Sequence, residues 1–229
     1  MKLGIMQPYF LPYIGYFQLI KAVDKYIIYD DVNFIKGGWI NRNRILLNGD
    51  AFMINVPMQG ASPFKKINEI NIGKSREKVL LTIEQAYRKA PYFTETYNLI
   101  SDIIRFNTDN LGVFVSNSIL KIAEYLQFNT EFVLSSEINK PDELKAQDKV
   151  LSICKIMGTT EYYNAIGGIE LYNKADFKRE NIQLQFLKTN LTAYSQFKNE
   201  FIPGLSILDV LMFNSKDEVN LMLDNYDLV

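Results

Sequence analysis

Residues Lys2–Arg44 read KLGIMQPYFLPYIGYFQLIKAVDKYIIYDDVNFIKGGWINRNR. Lys2–Met6 is a short apolar strand. Pro8 and Pro12 cannot donate to a ladder, so the strand ends in a turn over Gln7–Pro12. Tyr13–Ala22 carries apolar residues at the spacing of a mostly buried helix. Asp24–Val32 is a second strand whose continuous apolar run fits burial on both faces of a parallel sheet. Strand, helix and strand within so short a stretch define a βαβ unit.

Working outward, Asn48-Gly49-Asp50 favours a tight hairpin turn between a strand at Arg44–Leu47 and a partner at Ala51–Pro57. Ile67–Ile72 alternates like a half-buried strand. Ser75–Lys89, Thr94–Phe106 and Asn110–Leu126 follow the helical period. Further strands are expected at Thr130–Leu134, Glu161–Ala165 and Ile182–Leu187, with helices at Leu144–Met157, after Gly168, and at Leu205–Phe213. Ser215 and Glu218 form a capping box for a last helix. The whole predicts an α/β fold: a Rossmann-like, mostly parallel sheet that begins with a βαβ unit. It is a single domain over 1–229 with a central helical insertion at about 75–128.

Composition narrows the chemistry. The 229 residues carry 25 Lys+Arg against 26 Asp+Glu, a net charge of −1, which argues against a nucleic-acid partner. The single cysteine, Cys154, permits no intrachain disulfide, and no window is long and apolar enough for a membrane span or a signal peptide. A cytoplasmic protein is the expectation. The absence of histidine removes imidazole bases, Ser-His-Asp and Cys-His catalysis, and ordinary zinc sites, and no metal site is assigned. Cys154 sits in VLSICKIM and reads as a core thiol.

Five groups can carry chemistry. Gln7, Pro8, Tyr9, Pro12, Gly15 and Tyr16 form a strand-to-helix corner, where free N–H groups favour an anion; a rigid turn with core tyrosines is the plainer alternative. Asp30 and Asp31 end the second strand. Neighbours on a strand point apart, so one carboxylate is a better candidate than a pair. Lys36, Trp39, Asn41, Arg42, Asn43 and Arg44 combine basic groups with a stacking surface, suited to a phosphate and a ring. Gly167 and Gly168 permit close backbone approach, without matching a nucleotide-binding glycine pattern. Gln196, Glu200, Ser206 and Asp209 are polar positions in an otherwise apolar stretch, where Glu200 and Asp209 would be general bases if burial raises them and capping or pairing is the plainer alternative. Asp30, Asp31 and Lys36 are the candidate catalytic residues, and the remainder are candidate substrate contacts.

QPYFLPYIGYFQLI, DDVNFIKGGWINRNRI, EQAYRKAPYF and FIPGLSILDVL occur in that order, and with them the chain resembles the WbqC-like family. The resemblance implies a bacterial protein of O-antigen and other surface-polysaccharide (lipopolysaccharide) gene clusters. It points to a transferase or ligase that acylates or aminoacylates, for example glycylates, the amino group of a nucleotide-linked amino sugar. Asn164-Ala165-Ile166 departs from the Ser-Gly-rich stretch of relatives. The layout of the amino-terminal corner is also similar to nucleotidylyltransferases and pantothenate synthetases, with tyrosines where those carry histidines. A nucleotidylyltransferase-like enzyme acting on a sugar phosphate or nucleotide, and a non-catalytic binding protein of polysaccharide assembly, are the alternatives. The partner is then a small molecule, a nucleotide-linked sugar. The cofactor stays open, with ATP and Mg²⁺ as candidates, and so does a homo-oligomer.

Overall fold

A computed structural model describes residues 1–141 and 143–229. The first strand, β1 (Lys2–Met6), leads through the Pro-rich loop into α1 (Ile14–Lys21) and then β2 (Lys25–Ile28). β1 and β2 pair in parallel, with Gly4 opposite Tyr26 and Met6 opposite Ile28. β2 is shorter than the expected Asp24–Val32. Its backbone folds back at Asp30, whose N–H donates to the Ile28 carbonyl at 3.0 Å, and the ladder stops.

β3 (Arg42–Leu47) and β4 (Asp50–Asn55) form the expected antiparallel hairpin. Asn48 and Gly49 take positive φ at its turn, as an Asn-Gly pair tolerates. The strand expected at Ile67–Ile72 is replaced by a 3-10 turn, Ile67–Glu69, followed by β6 (Asn71–Ile72), which pairs with β5 (Met58–Gln59). Two contacts make the change: the Glu69 carboxylate accepts the Lys66 N–H at 2.8 Å, and the Asp30 carbonyl accepts the Asn68 N–H at 3.1 Å. The insertion is α2 (Glu77–Tyr87), α3 (Phe93–Arg105) and α4 (Leu111–Tyr125).

The chain returns to the sheet with β7 (Glu131–Leu134), α5 (Ala146–Ile156), β8 (Glu161–Ala165), a 3-10 segment at Ile166–Leu171, α6 (Lys174–Arg179) and β9 (Gln183–Thr189). It ends with α7 (Ile207–Phe213), α8 (Lys216–Leu223), entered through the Ser215–Glu218 capping box, and β10 (Tyr226–Leu228). The six-stranded sheet runs β10-β9-β8-β1-β2-β7. All pairs are parallel except the edge pair β9–β10.

Period-two alternation sends side chains to two cores. Leu3, Ile5, Ile27, Tyr162 and Phe186 pack with α5 and α6 on one face. Tyr26, Ile28, Tyr163 and Leu187 pack with α1, α7, α8 and the insertion on the other. Strand order therefore reverses between β1 and β8, and the crossing helices change face there. In open parallel sheets, the gap beyond the carboxyl ends at that reversal is where ligands bind.

Candidate active site at the strand ends

The strand-end face is built from residues that follow β1, β2, β7 and β8. Asp30 and Asp31 leave β2 with separate partners. Asp30 is buried and accepts from the Ser136 N–H at 3.0 Å, the Ser136 hydroxyl at 2.7 Å and Asn68 Nδ2 at 3.2 Å. It ties the end of β2 to the end of β7 and to the Ile67–Glu69 turn. Asp31 meets two ammonium groups on one oxygen, Lys140 at 2.9 Å and Lys149 at 3.0 Å. Lys140 also donates to the Ser135 carbonyl, and Lys149 lies 5.1 Å from the Tyr29 ring centre. Burial alone would raise the Asp31 carboxyl; Ser135, Lys140 and Lys149 outweigh it and hold the carboxyl below its ordinary value.

Beyond β8, Asn164 donates to the Tyr162 hydroxyl at 2.8 Å and accepts the Ala165 N–H at 2.7 Å, which turns the chain into the 3-10 segment. Gly168 packs on Asn164, where a Cβ would sit 3.1 Å from Oδ1. Gly167 is exposed, and a Cβ there would meet nothing within 4 Å. Its backbone is open to a ligand.

A second assembly joins the other predicted residues. Phe10 N–H donates to the carbonyls of Trp39 and Ile40, and Asn43 Nδ2 donates to the carbonyls of Phe10 (3.1 Å) and Leu11 (2.8 Å). Ser206 donates its hydroxyl to Leu11 at 2.7 Å and its N–H to the Arg44 carbonyl at 2.8 Å. Asn41 closes the base of the hairpin onto Val56 at 3.0 Å. Asp209, fully buried, accepts from Tyr87 (2.7 Å), Tyr194 (2.6 Å) and Gln196 (2.6 Å). Three stretches far apart in the chain, 7–13, 39–44 and 196–209, thus lock into one knot beside the first strand end. Arg44 stacks on the half-exposed Trp39 at 5.7 Å, and its Nε is buried without a hydrogen-bond partner among the described residues.

The corner at α1 is tighter than the sequence implies. A Cβ on Gly15 would run into Thr189 Oγ1 and reach 2.5 Å from the Tyr13 ring, so these groups fill the space over the first turn. Tyr16 is buried, donates to the Gln7 carbonyl at 2.9 Å and packs on Tyr9, 5.6 Å between centres. Pro8 and Pro12 are buried, while Gln7 and Tyr9 are half-buried. Of the two readings of this corner, these contacts favour the rigid turn with core tyrosines over an open helix start. Arg42 is turned onto the carbonyls of Gly37 and Gly38, and Lys36 is exposed with no hydrogen-bond or ion-pair partner among the described residues. Cys154 is fully buried, with its thiol pushed up to about 12 by burial.

Open clefts lie elsewhere. One of about 590 Å3 is lined by Lys74, Arg76 and Arg105, and one of about 710 Å3 by Asn48, Arg88 and Lys89. Arg105 there is paired with Glu77 on the surface. The strand ends carry the buried charges, so chemistry rather than cleft size selects them. Lys140 and Lys149 were missed in the sequence because they lie more than 100 residues after Asp31. The available signal was topological: residues after a strand at Thr130–Leu134 share a face with those after Val32.

The fold and this face define a Rossmann-like α/β protein with a polar, lysine-bearing strand-end site. The chain belongs to the WbqC-like protein family, which it matches over residues 7–221. It is similar to a Mycobacterium tuberculosis (strain ATCC 25618 / H37Rv) protein described as "Uncharacterized protein Rv1507c", 30% identical over 218 residues that cover 93% of each chain. No solved structure matches it. No helix among the described residues is long and apolar enough to cross a membrane.

Proposed function

We propose that this protein is a transferase or ligase of surface-polysaccharide biosynthesis. It acylates or aminoacylates the amino group of a nucleotide-linked amino sugar held at the carboxyl ends of the sheet. The observation that supports it most is the pair Lys140 and Lys149 gathered on Asp31 beside the strand-order reversal. Such gaps receive nucleotides in folds of this layout, and lysines there neutralise phosphate.

In the reaction the sugar nitrogen attacks the carbonyl carbon of a donor activated by ATP. The C–N bond forms, the bond from that carbon to the phosphate leaving group breaks, and the nitrogen loses a proton to solvent. Asp31 is a poor proton acceptor because its neighbours hold it ionised. Its work is to position the two lysines. Gln7, Tyr9 and the open backbone of Gly167 flank the site. Trp39 and Arg44 offer a ring face and a guanidinium at the neighbouring corner, and Asn43, Gln196, Ser206 and Asp209 hold that corner in shape.

The test is incubation with an amino-sugar nucleotide, ATP, Mg²⁺ and glycine or another acyl donor, followed by mass spectrometry. An acylated sugar nucleotide is expected. Pyrophosphate release without an acylated product would favour nucleotidyl transfer instead, and sugar-nucleotide binding without turnover would favour the non-catalytic reading.

A further inference from the structure

Within ion-pair distance, and among the described residues, the cluster Lys140–Asp31–Lys149 sets two ammonium groups against one carboxylate. Both ammonium groups share Asp31 Oδ2, at 2.9 and 3.0 Å, and no other carboxylate among the described residues lies within ion-pair distance of either. Asp148, the acidic residue in the first turn of α5, pairs with neither. The side chains are 5% exposed for Lys140, 13% for Lys149 and 11% for Asp31. One lysine would suffice to neutralise Asp31.

One further feature raises the local potential. α5 begins without a side-chain cap, and the N–H groups of such a first turn carry partial positive charge. As the helix that follows β7, α5 starts at the carboxyl end of the sheet. Asp30 takes its hydrogen bonds from the neutral donors Ser136 and Asn68 and makes no ion pair with either lysine, and Asp176 is bonded by Gln147 and Arg179. Tyr29, under Lys149, and Tyr172 supply an aromatic wall on the same side, with the Tyr29 hydroxyl raised by burial, by Asp31 and by Tyr172.

We propose that Lys140 and Lys149 form a preorganised seat for one oxyanion of the incoming ligand, a phosphate or a carboxylate, with Asp31 fixing the two ammonium groups. Lys149, the more exposed, makes the outer contact, and Lys140 backs it. The proposal rests on the strand-end reading above and adds the group that is recognised there. It assigns phosphate binding to residues other than Arg42 and the α1 helix start.

The experiment is calorimetric titration of the full chain with inorganic pyrophosphate and, separately, with acetate. Lys149→Ala leaves the Asp31–Lys140 pair intact, so it should fold. It is expected to weaken binding about tenfold or more. Asp31→Asn keeps an acceptor oxygen for the two ammonium groups and removes the opposing charge, so a variant whose melting curve stays cooperative is expected to bind more tightly, which a purely structural bridge would not do, and weaker binding by that folded variant counts against the seat. Loss confined to pyrophosphate identifies a phosphate seat, and loss confined to acetate a carboxylate seat. No binding of either anion by the wild type, or unchanged binding by a folded Lys149→Ala, overturns the proposal. Because the readout is binding, a failed transfer assay leaves it standing, and a positive transfer assay does not rescue it.

Discussion

Asp209 shows what a carboxylate does when its charge is spent on architecture. It accepts from two tyrosines and Gln196 while fully buried, and Tyr87 in turn accepts the Leu46 N–H at 2.8 Å, so one side chain couples α7 to α2 and the hairpin. Asp209→Ala strands three donors and should cost roughly 2–4 kcal/mol, lowering Tm by about 5–15 °C. Asp209→Asn, which keeps an acceptor, should cost less. Burial pushes the Asp209 carboxyl above its ordinary value, although Tyr194, Tyr87 and Gln196 pull it down. Its ionisation therefore works against folding: stability from this group is full below the ordinary carboxylate range and declines as pH rises through the folded value. Thermal melts of wild type and Asp209→Asn across that range should show a shallower decline in the variant; parallel curves would refute the assignment. The sequence singled out Asp209 together with Gln196, one of its partners, but not Tyr87, which lies 122 residues away.

At the level of elements, two glycines with similar sequence surroundings have opposite duties. Gly15 lets α1 start against Thr189 and Tyr13, whereas Gly167 faces open space. Gly15→Ala is expected to destabilise by about 1–3 kcal/mol through overpacking, and Gly167→Ala to leave stability within about 0.5 kcal/mol. Urea titrations of both variants check this, and equal effects would contradict it. Elements with strong local signals were legible: the βαβ unit, the Asn-Gly hairpin, the insertion helices and the Ser215 capping box. Those set by distant partners were not. The turn at Ile67–Glu69 depends on Asp30, whose carbonyl accepts the Asn68 N–H at 3.1 Å, and β10 depends on the free edge of β9. At the corner of α1 the core tyrosines were legible as one of two readings, whereas Thr189, which comes from β9, was not.

For the molecule as a whole, the knot of 7–13, 39–44 and 196–209 spans nearly the full chain, with Ser206 bonded to Leu11 across 195 residues. One core joins α1, the hairpin, the insertion helices, α7 and α8. We propose that 1–229 melts as a single unit. Calorimetry should give one transition with equal calorimetric and van't Hoff enthalpies; a separate transition for the helical insertion would divide the domain.

The depth of Cys154 has a practical corollary. A lone thiol on α5, sealed against the sheet and shifted up to about 12, stays unreactive toward alkylating dyes at neutral pH. The native chain is thus already a blank background for site-specific labelling. A fluorophore on Gly167→Cys, at a position with free space around it, would sit on the rim of the strand-end face and report by its emission when that face fills.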